Sequence, residues 1–79
     1  MSESVKKILL SLLMVEAQSR KSAIEKKSLA ERSELEEKEL DTKIGNLIDE
    51  GYIKVESSEN ASWIYLTPRG VVAASSIYS

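Results

Sequence analysis

Lys38, Thr42 and Asn46 stand four residues apart, so on a helix they project along one line. These are side-chain types that read nucleic-acid bases. Lysine reaches guanine O6 and N7 or a phosphate, asparagine pairs with adenine, and threonine meets a thymine methyl. With Leu40, Ile44 and Leu47 turned inward, a step of about 100° per residue puts Lys38, Thr42, Gly45, Asn46 and Asp49 on the opposite side. Gly45 is the odd member, because glycine in a helix interior costs about 1 kcal/mol relative to alanine. It serves either close approach of a DNA backbone or, the favoured reading, tight packing against the preceding helix or a mild kink.

Charge opposes this chemistry. Residues 33–60 hold nine acidic side chains (Glu34, Glu36, Glu37, Glu39, Asp41, Asp49, Glu50, Glu56, Glu59) and three basic ones (Lys38, Lys43, Lys54). Glu37, Glu39 and Asp41 are the main obstacle, since carboxylates are repelled by phosphates, although they can accept from cytosine N4. Acidic residues also suit a helix N-terminus, which alone accounts for Glu36, Glu37 and Glu39. Residues 1–32 are locally basic, with Lys6, Lys7, Arg20, Lys21, Lys26, Lys27 and Arg32 against four acids.

The chain has 79 residues, no histidine and no cysteine. That length makes one domain, residues 1–79, with one modest core. Ser/His/Asp and Cys/His catalysis, disulfides and thiolate metal sites are all excluded, and the commonest metal ligand is missing. The expectation is a non-enzyme with no cofactor and no metal. Lys6 and Lys7 precede the apolar run ILLSLLMV, which imitates a signal peptide but stops at Glu16. An amphipathic first helix is the better reading. No segment nears the roughly twenty apolar residues of a membrane span, so a cytoplasmic protein without a membrane partner is expected.

The spacing predicts a first helix over residues 4–18. Val5, Ile8, Leu9, Leu12 and Val15 form one face, while Leu10, Leu13, Met14 and Ala17 widen the apolar arc. The excess means a second contact surface or deep burial. Ser22 and Glu25 fit a capping box opening a second helix that runs to about residue 32, with Ala23, Ile24, the stem of Lys27, Leu29 and Ala30 inward. Leu35 plugs the turn, and Ser33 with Glu36 can cap a third helix over residues 36–50. Its stripe is Leu40, Ile44, Leu47 and Ile48, and Gly51 is its left-handed stop. Residues 52–55 then alternate as a strand, 57–60 turn, and 62–67 return with Ile64 and Leu66 inward and Trp63 and Tyr65 opposite. Thr67 and Pro68 open a short last helix.

Three segments, LAERSEL, IGNLIDEGYIKV and IYLTPRG, resemble the winged helix-turn-helix family, in particular small MarR/PadR-like and archaeal or viral regulators. Together they cover about a third of the chain. The resemblance implies an α+β fold with three helices, a two-stranded β-hairpin wing and a short C-terminal helix. It implies sequence-specific binding of double-stranded DNA by a small transcriptional regulator, with the third helix in the groove. Arg20, Lys21 and Lys27 then face a phosphate strand, with Lys54 and Arg69 on the wing side. Two departures stand out. Glu36, Glu37, Lys38 and Glu39 occupy places where DNA-reading members commonly have Ser, Thr, Arg or Gln, and the wing tip carries Ser57, Ser58, Glu59 and Asn60 instead of Arg or Lys. A homodimer is expected through Leu10, Met14, Val71, Val72, Ile77 and Tyr78. The alternative is a protein-docking winged helix in a larger assembly, with Trp63 and Tyr65 as the partner surface. An RNA-binding role is a distant third.

Overall fold

Ser2 opens the first helix by accepting a hydrogen bond from the Val5 amide (3.2 Å), and Ile8, Leu9 and Leu12 bury its inner face. In the computed structural model, which describes residues 1–78, this helix (α1) is Glu3–Met14. It ends four residues sooner than the spacing predicts. Glu16 takes a left-handed conformation (φ 57°), and the Glu16 and Ala17 amides turn back to the Leu13 and Leu12 carbonyls, both at 3.0 Å. The stop is invisible in the sequence because a glutamate fills the position where glycine is usual. Ala17 is fully buried, and its carbonyl accepts the Leu66 amide at 2.7 Å, which ties the end of α1 to the sheet.

The next segment corrects the sequence reading. Residues 19–25 do not begin a helix. Arg20–Ser22 is a 3-10 turn in which the Ser22 hydroxyl accepts from the Gln18 and Ser19 amides (3.1 and 3.2 Å), so Ser22 does not pair with Glu25 in a capping box. Ile24–Glu25 is a short strand, β1, and the second helix, α2, is Lys26–Ser33. Cross-strand pairing supplies what local periodicity could not reveal: Ile24 lies opposite Ile64, and Glu25 opposite Trp63. Ile24 packs against the core from a strand, and Lys27 is exposed rather than inward.

Glu34 (φ 57°) closes α2, and the buried Ser33 hydroxyl donates to the Leu29 carbonyl (2.7 Å). Ser33 is therefore not a cap for the third helix. That helix, α3 (Glu37–Asp49), begins at Glu36 without a side-chain cap. Leu35 packs half-buried in the turn, and Leu40, Ile44 and Leu47 are buried, as the stripe requires. Ile48 falls outside it and is 44% exposed. Gly51 (φ 79°) terminates α3, with its amide on the Ile48 carbonyl and the Tyr52 amide on that of Leu47, both at 3.0 Å.

The wing is a hairpin of β2 (Ile53–Ser58) and β3 (Ala61–Leu66). Its turn is only Glu59 and Asn60, because Ser57 and Ser58 remain paired with Ser62 and Ala61. The antiparallel sheet has three strands in the order β1-β3-β2, so the expected hairpin gains β1 on its far edge. The last helix, α4, is Pro68–Tyr78 and packs along α1. Thr67 caps it: the Thr67 hydroxyl accepts the Gly70 amide (3.0 Å) and donates to the Gly51 carbonyl (2.6 Å). No helix among the described residues is long and apolar enough to cross a membrane.

Candidate nucleic-acid interface

α3 turns Lys38, Thr42, Gly45, Asn46 and Asp49 to the exterior, and all five are exposed. The Thr42 hydroxyl donates to the Lys38 carbonyl one turn back (3.2 Å). A Cβ on Gly45 would meet no atom within 4 Å, and α3 runs uninterrupted through this position. Tight packing against the preceding helix is therefore not the reason for Gly45, because no neighbour comes near.

The carboxylates that oppose DNA have partners on the protein surface. Lys26, the first residue of α2, places its Nζ 2.7 Å from Asp41 and 4.0 Å from Glu37, both on α3. The hydrogen bond that Lys26 donates to Asp41 raises the Lys26 pKa above its ordinary value; desolvation opposes it, and the charges of Asp41 and Glu37 add to it. Glu39 turns another way and accepts a hydrogen bond from the Ser4 hydroxyl on α1. Of the three expected obstacles, two share one lysine and the third is drawn to α1. Sequence reasoning set Lys26 in the basic edge but assigned it no contact. Fifteen residues separate it from Asp41, a pairing that only the turn between α2 and α3 creates.

The remaining basic residues divide by position. Arg20 is bound to Glu56 on the wing, with Nε at 3.1 Å and Nη2 at 2.7 Å from one carboxylate oxygen, and so braces the 3-10 turn against β2. Lys21 and Lys27 are exposed and have no ion pair among the described residues. Lys27 and Lys26 line a groove of about 290 Å³ with Glu37 and the wing residues Asn60, Ala61 and Ser62. Lys54 lines a separate groove with Ile48 and Gly51, at the C-terminal end of α3. The Arg69 guanidinium lies 4.9 Å above the Tyr52 ring, a cation–π contact at the base of the wing.

The remaining candidates separate by burial. Met14, Val72 and Tyr78 are 74%, 68% and 74% exposed, and Leu10 is half-buried. Val71 and Ile77 instead pack half-buried against the core. Trp63 is half-buried between two shallow grooves, one shared with Arg20, Lys21 and Glu56, the other with Lys27 and Glu31. Tyr65 packs against the core, which leaves less of its ring for a partner.

No protein-family model matches the chain, and neither does any curated protein sequence. Solved structures do. TubR from Bacillus megaterium is 25% identical, with a TM-score of 0.86 over 92% of this chain and 81% of its own. A DNA-binding TubR fragment from Clostridium botulinum is 20% identical, with a TM-score of 0.79 over 98% and 96%. A MarR family transcriptional regulator from Silicibacter pomeroyi is 18% identical, with a TM-score of 0.79 over 99% of this chain and 52% of its own. Element order, the α2–α3 turn and the β2–β3 hairpin, shared with these neighbours, make the chain a small winged helix-turn-helix protein.

Proposed function

We propose that this chain is a small transcriptional regulator that binds double-stranded DNA sequence-specifically, with α3 in the major groove. The observation that carries the reading is the Lys26 bridge to Asp41 and Glu37. It pairs a cation with Glu37 in the first turn of α3 and Asp41 in the second, and leaves the line Lys38, Thr42 and Asn46 exposed to meet bases. Lys27 beside the start of α3, Lys54 near its end, and Lys21 and Arg69 along the wing are proposed to contact phosphate; Arg20 lies beside Lys21 under the hold of Glu56. Two of the structural neighbours, a DNA-binding fragment and a transcriptional regulator, support the same reading. The setting is proposed to be the cytoplasm.

Retardation of duplex fragments at low salt tests it. Lys38→Ala and Asn46→Ala are expected to weaken the preferred sequence by about 1–3 kcal/mol each and to relax the preference at the base each one reads. Equal weakening on every sequence would limit both residues to phosphate contact.

The active form is proposed to be a homodimer joined through the outer faces of α1 and α4, where Leu10, Met14, Val72 and Tyr78 lie, with Val71 and Ile77 supporting them from the core side. Two copies would bring two α3 helices to the spacing of one DNA turn. Sedimentation is expected to give about twice the 8.8 kDa chain mass. A monomer at high concentration would remove the dimer.

The position of Trp63 supports a second reading, a protein-docking module, since tryptophan between shallow grooves suits an interface anchor. Partners that remain bound after nuclease treatment, and are lost in Trp63→Ala, would favour it.

A further inference from the structure

We infer that Gly45 is the point at which α3 seats against the DNA groove, with backbone in place of a side chain at the contact. The inference rests on the DNA-binding reading above and adds a residue to it. Three observations meet at this position. Gly45 lies mid-helix, where glycine is unfavourable. Nothing in the protein explains it, since a Cβ there would meet open space, its φ is not left-handed, and the helix neither stops nor breaks. Finally, it lies on the exposed face beside Thr42 and Asn46, whose side chains are short.

Those short side chains supply the physical reason. Threonine and asparagine reach base edges only when the helix axis lies deep in the groove, whereas longer residues can read from farther out. A bare Cα at position 45 removes the atoms that would strike the groove wall first. Lys38, two turns earlier on nearly the same line, has a long flexible stem that bends aside. The unfavourable glycine therefore buys depth for the residues on either side of it.

The test uses Gly45→Ala and Gly45→Gln, both good helix formers, in the full chain. Melting temperature and affinity for the preferred duplex are measured across a range of salt. Alanine is expected to raise Tm by about 4–8 °C and to weaken the preferred duplex about tenfold. Glutamine should weaken it further. No charge changes, so the salt dependence should stay that of the wild type while the whole affinity curve moves down. Unchanged or tighter binding in the better-folded alanine variant overturns the inference and leaves the DNA reading intact. A drop in Tm for alanine also overturns it, by showing that the fold itself requires glycine. A wild-type chain that binds no duplex sinks the DNA reading, and this inference with it.

Discussion

A Gly70→Ala variant is expected to lose at least about 3 kcal/mol of stability. A Cβ at that position would lie 1.9 Å from the Tyr52 carbonyl oxygen, 2.9 Å from its carbon and 3.1 Å from the Leu66 side chain. The first two are backbone atoms and cannot rotate away. The Tyr52 carbonyl also accepts the Thr67 amide (3.1 Å), while the Thr67 hydroxyl binds both the Gly51 carbonyl and the Gly70 amide. Relief of the clash must therefore part the start of α4 from the α3–β2 junction and break this set of bonds. A chain of 79 residues has a net stability of roughly 4–12 kcal/mol, so the loss is a large share of the whole. Thermal or urea unfolding measures it, and a loss below about 1 kcal/mol would show that α4 is not docked as described. Because the same junction sets the angle between α3 and the wing, partial unfolding there should also impair DNA binding.

The second large effect is expected from Lys26→Ala. As a fold contact, the Lys26–Asp41 pair is partly exposed and contributes about 0.2–1 kcal/mol. For DNA the consequence is greater, because the change leaves Asp41 and Glu37 without their counter-charge beside an approaching phosphate strand while removing a cation. Duplex affinity at low salt is expected to fall at least about tenfold, or about 1.4 kcal/mol, with little change in Tm. Lys26→Ala combined with Asp41→Asn should recover much of the binding. No recovery would mean that Lys26 acts by touching DNA and not by masking. The same bridge fixes a pH dependence. The folded-state pKa of Lys26 lies above its ordinary value of 10.5, so the stabilisation is complete below 10.5 and is lost as pH rises through the higher folded value. Between neutral pH and about pH 10 this pair should leave stability flat, and Lys26→Ala should abolish only the alkaline loss.

Where local chemistry decides the structure, the sequence is legible. The Leu40, Ile44 and Leu47 stripe, the Gly51 stop, the alternation into the wing and the Thr67–Pro68 start all appear in place. Tertiary contacts hid the rest. Ile24 and Glu25 carry no strand signal until β3 offers them partners. The left-handed turns at Glu16 and Glu34 use glutamate where glycine would have announced them. Gly70 is an ordinary residue until the Tyr52 carbonyl fills the space its side chain would need. The charge conflict was the most misleading feature, because counting carboxylates along α3 says nothing of where each one points. Lys26 and Ser4, distant in sequence, reorient three of them. The exposed line of Lys38, Thr42 and Asn46 was legible, since a helical repeat sufficed to find it.

Duplex affinity measured against salt tests the central claim most directly, namely that an acidic chain presents a DNA-binding face because Glu37, Glu39 and Asp41 on α3 are engaged by Lys26 and Ser4. Phosphate contacts by Lys21, Lys27, Lys54 and Arg69 are expected to give a slope of log affinity on log salt of about −3 to −4 per protomer, with a residual sequence preference at high salt. Absence of binding at the lowest salt, with the chain folded, would contradict the account.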